Sequence, residues 1–114
     1  MGIGIVDYNP DSWVVLKIKE GKGTFPFYKV LAGWSGGYLD GDSWRMNSGV
    51  TQVKEDGGDY YEFYGESGSC YRCHKETYGL RMSTAGVYKN LCLQQHFKGQ
   101  FILMPEDTDW MELV

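Results

Sequence analysis

Cysteine and histidine in the second half of the chain follow a spacing known from metal sites. The pattern is C-x2-C-x18-C-x3-H, formed by Cys70, Cys73, Cys92 and His96. Thiolates and imidazole at such spacing can hold structural zinc, which helps a small domain to fold. In a regular strand, however, Cys70 and Cys73 would face opposite sides of the sheet. A zinc-stabilised interaction module is therefore an alternative interpretation of this chain, with these four residues as the metal ligands.

The same part of the chain is basic, which predicts a site for an anionic ligand such as a nucleotide. Residues 67–100 carry a net charge of +4, between segments 31–66 at −5 and 101–114 at −4. The predicted ligand-binding residues are Arg72, Lys75, Arg81, Lys89, Tyr71, Tyr78, Trp34 and Ser35. The basic side chains would bind phosphates and the aromatic rings would stack on a base, while the glycine-rich segment 33–37 closes over the ligand. Alternatively, these charges pair with the acidic segments across the fold.

The sequence GWSGG at residues 33–37 also matches the G-x-S-x-G pattern of a hydrolase nucleophile elbow. That elbow joins a strand to a helix in a large α/β sheet, and 114 residues with this strand pattern leave no room for one. We therefore expect a loop at this position, no catalytic residue and a non-enzymatic protein.

The acidic and aromatic sequence EDGGDYYEFYGE predicts a strand with two different faces. Because side chains alternate along a strand, Tyr60, Glu62 and Tyr64 would share one face, with Tyr61 and Phe63 on the other. The second pair suits a core. Exposed tyrosines beside carboxylates suit a protein interface, where tyrosine is enriched. The alternative is that these rings only stabilise a hairpin through cross-strand pairs.

Segments rich in β-branched and aromatic residues predict the strands that must position these groups. They are 12–18, 24–32, 43–47 with 50–54, 60–64, 69–74, 90–97 and 100–104. Turn signals between them include Asp56-Gly-Gly-Asp59 and Lys98-Gly99, and the glycine-rich segment 33–42 predicts a loop. About seven short strands predict one all-β, mainly antiparallel domain over residues 1–114, either a barrel or a sandwich.

One segment supports two interpretations. In residues 83–95, Val87 and Leu91 are four apart, as are Tyr88 and Cys92, which is the spacing of a short helix. Gly86 and the weak capping residues favour a strand instead.

The tail 105–114 also supports two interpretations, because its acidic residues around Trp110 suit either a last edge strand or an acidic tail that contacts a partner.

Composition excludes several classes of protein. The chain is 16% aromatic with a net charge of −4, and it has no run of about twenty apolar residues. We therefore expect no membrane span and no binding of double-stranded nucleic acid, which usually requires net basicity. Residues 1–11 lack the basic region and cleavage pattern of a signal peptide. Three cysteines, an odd number, indicate free thiols in a reducing cytosol.

Segments 32–50 and 59–79, which contain AGWSGGYLDGDSWRMNSGV and DYYEFYGESGSCYRCHKETYG, resemble stretches in short proteins encoded by tailed bacteriophages. The resemblance implies a viral origin, expression in the cytoplasm of a bacterial host and no assigned activity. Phage accessory proteins of this size often bind a host protein or a signalling nucleotide of a defence system. We therefore expect an accessory protein that neutralises a host defence component by binding. Edge strands and aromatic residues also suit a phage structural or assembly protein that forms a homo-oligomer.

Overall fold

A computed structural model describes residues 6–20, 25–37, 41–94 and 100–114 of the chain. Its strands are β1 (Ser12–Lys19), β2 (Phe27–Gly37), β3 (Gly41–Met46), β4 (Val50–Asp56), β5 (Tyr60–Gly65), β6 (Cys70–His74) and β7 (Gln100–Leu103). One α-helix, α1 (Met82–Leu93), and two 3-10 turns, Lys75–Thr77 and Trp110–Glu112, complete the described elements. No described helix has both the length and the apolar character needed to cross a membrane.

The seven strands form two antiparallel sheets. One sheet has four strands in the order β3-β2-β1-β7, and the other has three in the order β4-β5-β6. The prediction of a mainly antiparallel all-β domain with about seven strands is therefore confirmed, and the sandwich is the alternative that the structure adopts.

Strand β1 separates two hydrophobic cores because both of its faces are buried. Trp13 and Val15 face the three-stranded sheet and pack in one cluster with Phe63. Val14 and Leu16 face the other way and pack beneath α1. The molecule therefore has three layers, with the four-stranded sheet between the helix and the second sheet, which explains why β1 is an almost uninterrupted apolar run.

The helical interpretation of residues 83–95 is correct, and the predicted strand at 90–97 is wrong as far as the described residues reach. The helix forms because Val87, Tyr88 and Leu91 lie on one face and pack on the four-stranded sheet. At its start, the Thr84 hydroxyl accepts a hydrogen bond from the Arg81 backbone N–H at 2.9 Å. The same hydroxyl donates to the Arg81 carbonyl at 3.2 Å, and this side-chain cap was not evident from residue types alone. The predicted turn at residues 98–99 lies outside the described residues.

The predicted loop over 33–42 is also wrong where the structure describes it, because β2 continues to Gly37 and β3 begins at Gly41. Gly33 is required by packing rather than by a turn. A Cβ atom there would lie 2.8 Å from the Thr84 Cγ2 atom of the helix, so only glycine permits this close approach. The glycine-rich sequence therefore reflects contact between a helix and a sheet.

The predicted break at Ser48-Gly49 is confirmed and has a clear topological role, since it carries the chain from one sheet to the other. Gly49 has a φ of +134°, which favours glycine. Just before it, Asn47 continues the pairing of β3 with β2. Its backbone N–H donates to the Val30 carbonyl at 3.0 Å, and its Oδ1 accepts from the Val30 N–H at 2.9 Å. The predicted hairpin at 56–59 is a turn between β4 and β5.

Candidate functional site

The open face of the three-stranded sheet is the first candidate surface, and we call it the tyrosine face. It consists of Gln52, Lys54, Asp56, Tyr60, Glu62, Tyr64, Arg72 and His74. Cross-strand register places Tyr60 opposite His74 and Glu62 opposite Arg72. Residues between them, such as Phe63, point into the core. The predicted division of β5 into a tyrosine–glutamate face and a core face is therefore confirmed.

Around Tyr60, the charged side chains of the tyrosine face are stacked and paired. The Arg72 guanidinium carbon lies 3.9 Å from the centroid of the Tyr60 ring, and its Nη2 donates to Asp56 Oδ2 at 2.8 Å. The His74 ring packs edge-on against Tyr60, with 4.9 Å between the ring centroids. Such stacking and pairing restrict both the arginine and the ring.

A second group surrounds Tyr64. The Lys54 Nζ lies 5.4 Å from the Tyr64 ring centroid, and the Tyr64 hydroxyl donates to Glu62 Oε1 at 3.0 Å. Two effects raise the pKa of Tyr64 above its usual range. Burial is the larger, and the hydrogen bond to the Glu62 carboxylate is the second. The two cations and two carboxylates of the tyrosine face balance, so the face presents two held rings without an excess of either charge.

The second candidate surface is a cavity of about 300 Å³ at the edge of the sandwich, which we call the C-terminal pocket. It is lined by Trp13, Tyr61, Lys75, Tyr78, Glu106, Asp107, Thr108 and Trp110. Its floor is formed by packed aromatic rings. The Tyr78 ring centroid lies 4.7 Å from Trp13 and 5.4 Å from Trp110. Its acidic wall is formed by Glu106 and Asp107, which are exposed.

Two hydrogen bonds hold Tyr78 at the bottom of this pocket. Its hydroxyl donates to the Met104 carbonyl and accepts from the Val15 N–H at 3.2 Å. Burial raises the pKa of Tyr78 to about 12, and the nearby Glu106 carboxylate acts in the same direction. The phenol is therefore a neutral structural link between β1 and the chain that follows β7.

Lys75 forms part of the wall and illustrates the electrostatics of the pocket. Its ammonium group is hydrogen-bonded to Glu55 and lies 4.7 Å from the centroid of the Tyr61 ring. The Glu55 hydrogen bond chiefly, with a contribution from Asp59, raises the pKa of Lys75. The pocket therefore already contains one ammonium group, that of Lys75, which contacts an aromatic ring and lies among carboxylates.

The structure does not bring the eight predicted ligand-binding residues together. Of that set, Lys75 and Tyr78 line the C-terminal pocket. Arg72 lies on the tyrosine face, whereas the exposed Arg81 and Lys89 belong to the helical layer beyond the four-stranded sheet. Their positive charges are therefore distributed over different surfaces of the molecule.

The remaining three predicted ligand residues have structural contacts. Tyr71 is 2% exposed and packs 4.7 Å from the Tyr8 ring, so it has no free face for stacking. Trp34 also contacts Tyr8, and its indole N–H donates to the Asn9 carbonyl at 3.1 Å. The Ser35 backbone N–H donates to an Asp11 carboxylate oxygen at 2.8 Å, within β2 rather than in a loop that closes over a ligand.

The three cysteines of the predicted zinc site are separated. Cys70 pairs with Tyr64 and Cys73 with Tyr61, so the two sulfurs lie on opposite faces of β6. Cys92 belongs to α1 on the far side of the other sheet, and His96 lies outside the described residues. Burial raises the pKa of both β6 thiols, which disfavours the thiolate form. Within the described ranges, no group of three or more His, Cys, Asp or Glu side chains is placed to hold a metal.

Sequence reasoning missed most of the C-terminal pocket because it left the tail 105–114 as either a last edge strand or an acidic tail that contacts a partner. The structure corrects the first alternative. The tail folds back through a turn and a 3-10 helix, and Trp110 is 3% exposed within the core. A tryptophan among acidic residues was the available signal, since a large ring seeks burial even when its neighbours stay in water.

The described residues thus form a small sandwich of two antiparallel sheets with one covering helix, and this fold carries the two candidate surfaces. No known protein family, curated protein or solved structure matches the chain. Its function must therefore be argued from its own surfaces.

Proposed function

We propose that this protein is a non-enzymatic accessory protein that binds a host protein through the tyrosine face, in the cytoplasm of a bacterial host. The observation that carries the proposal is the pair of rings Tyr60 and Tyr64 on one open sheet face. Each ring is contacted by a cation, Arg72 or Lys54, at 3.9 and 5.4 Å. Tyrosine and arginine dominate the energetic centres of protein interfaces.

The restraint of these side chains supports this role. Binding is weakened by the entropy lost when flexible side chains become ordered, at about 0.5–1.5 kcal/mol each. Arg72 is already held between Tyr60 and Asp56, and Tyr64 is held by Glu62. A tyrosine has only two side-chain torsions, so a partner that covers this face would lose little further entropy in ordering it.

The charge pattern favours a protein over a nucleotide as the partner. The cations Arg72 and Lys54 share the face with Asp56 and Glu62, so a phosphate would meet carboxylates beside each cation. A protein surface can match such alternating charges, which give specificity more than affinity. The dispersal of the predicted phosphate ligands over several surfaces argues in the same direction.

The test compares partner capture by three forms of the tagged protein in lysate of a phage-susceptible bacterium. These are the native chain, Tyr60→Ala/Tyr64→Ala and the control Trp44→Ala. Trp44 is a matched control because it is an aromatic residue, 49% exposed, on the other sheet. We expect one protein to be retained by the native chain and by Trp44→Ala, with about a tenfold or greater loss for the double variant.

Thermal unfolding of each variant checks that the fold is intact. Equal retention of the partner by the double variant would overturn the proposal. So would native mass spectra that show only a bound nucleotide, a metal or a homo-oligomer in place of a protein partner.

A further inference from the structure

The C-terminal pocket has features of a ligand site that the tyrosine face does not share. It is concave, and its volume of about 300 Å³ is at the lower end for small-molecule sites. Half of its lining residues belong to one short tail, whose turn is closed by hydrogen bonds from Thr108 to the Pro105 carbonyl. The turn that carries Glu106 and Asp107 is therefore held by hydrogen bonds of its own.

The charges around this cavity select the sign of a ligand. Carboxylates lie on both sides, with Glu106 and Asp107 in the tail wall and Glu55 and Asp59 near Lys75. Lys75 is the one basic side chain that lines the cavity within the described part of the molecule, and Glu55 neutralises it. An anion would therefore be repelled, whereas a cation would be attracted.

The aromatic floor determines what kind of cation is favoured. Tyr61 already contacts the Lys75 ammonium, and the half-buried Tyr78 offers further ring surface beside the exposed carboxylates of Glu106 and Asp107. Aromatic rings attract organic cations through their faces, and they also contact the alkyl chain that carries the charge. The aromatic floor and the acidic wall of the pocket together match an ammonium group on a short aliphatic chain.

We infer that the C-terminal pocket is a binding site for a primary alkylammonium group, held between the aromatic floor and the carboxylates of Glu106 and Asp107. The group could come from a free aliphatic diamine or from a lysine side chain. This site is separate from the tyrosine face and does not depend on the proposed function.

The test is a titration of the isotope-labelled full chain with butylammonium chloride, observed by NMR through the indole N–H signals. Trp13 and Trp110 line the pocket, while the exposed Trp44 is an internal control on the other sheet. We expect saturable shifts of the first two signals with a dissociation constant on the order of millimolar, as befits a five-atom ligand. 1-Butanol, which has the same chain without the charge, should shift them far less.

Variants test the role of the carboxylates. Glu106→Gln/Asp107→Asn should weaken butylammonium binding about fivefold or more, because both charges are removed without a change of shape. Glu112→Gln is the matched control, since it removes an exposed charge of the same tail outside the pocket. Putrescine and Nα-acetyl-lysine methylamide are titrated in parallel. Tighter binding of putrescine would identify a free diamine as the ligand, and tighter binding of the lysine derivative would identify a lysine side chain.

Three results would overturn the inference. They are the absence of saturable shifts, equal shifts with 1-butanol, and unchanged affinity in the double variant. Shifts caused by inorganic phosphate in place of butylammonium would also contradict it, by showing an anion site.

Discussion

The tyrosine face and the C-terminal pocket both combine tyrosine rings, carboxylates and basic side chains, and they lie on opposite sides of one sheet. Tyr60 belongs to the face and its neighbour Tyr61 to the pocket. On the face, each cation has a carboxylate beside it and a ring beneath it. In the pocket, carboxylates outnumber the single lysine. The difference shows that the pairing of charges, rather than composition, decides whether such a surface is neutral or selects a cation.

The two regions also differ in what their rings support. In the pocket, Trp13 and Trp110 belong to the main hydrophobic core, so the pocket floor and the core are one structure. The rings of the tyrosine face lie outside that core. Substitutions in the pocket floor should therefore affect folding strongly, whereas those on the face should affect binding with little change in stability.

The largest expected effect sharpens this contrast. Trp110→Ala should reduce the free energy of unfolding by about 3–5 kcal/mol, because it removes a ring that is 3% exposed and leaves a cavity. The control Met111→Ala, at a neighbouring side chain that is 43% exposed, should change it by less than about 1 kcal/mol. Urea denaturation measures both. Similar values for the two variants would show that the tail is not part of the core.

An intermediate effect is expected at the Tyr78 hydroxyl. Tyr78→Phe should destabilise the protein by about 1–2 kcal/mol at neutral pH, because the Val15 N–H and the Met104 carbonyl lose their partner. Chemical denaturation at pH 7 gives this value. A change below about 0.3 kcal/mol would contradict the assigned hydrogen bonds.

The raised pKa of Tyr78 also predicts a pH dependence. Below pH 10, the ordinary pKa, the phenol is neutral in both the folded and the unfolded chain, so its stabilisation is complete. Above pH 10 the unfolded chain ionises first, and stability falls as the pH rises toward about 12. Between pH 8 and pH 11 the native protein should lose roughly 1 kcal/mol more than Tyr78→Phe does. Equal losses in both proteins would be inconsistent with the raised pKa.

The smallest effect is expected on the tyrosine face. The Arg72–Asp56 ion pair joins side chains that are 33% and 47% exposed, so its coupling energy should be at most about 1 kcal/mol. A double-mutant cycle with Arg72→Ala and Asp56→Ala measures it, and raising the salt concentration should weaken it. A coupling above about 2 kcal/mol would mean that the face contributes to the fold, which would break the contrast with the pocket.

The strand pattern and the division of β5 were predictable because they depend on local alternation. Tyr60 and Tyr64 each lie two residues from Glu62 along β5, so all three share a face. Phe63 falls on the other face whatever the partner strand is. The turn at 56–59 was equally local, since its glycines and aspartates favour a turn by themselves.

The errors arose where a distant contact decided the outcome. Residues 33–37 have the glycine content of a loop, yet Gly33 is needed because the helix approaches β2 there. Gly86 weakens the intrinsic preference for a helix, and packing of Val87 and Leu91 against the four-stranded sheet overcomes it.

The sequence alone therefore determined the fold class, most strand positions and the two faces of β5, because side-chain alternation and turn preference act over a few neighbouring residues. Only the tertiary structure decided which charges pair, which cysteines lie apart and where the tail packs. Lys75 meets Glu55 and Trp110 meets Trp13 across long stretches of chain. Those contacts depend on the register of strands and the stacking of layers, which no local pattern encodes.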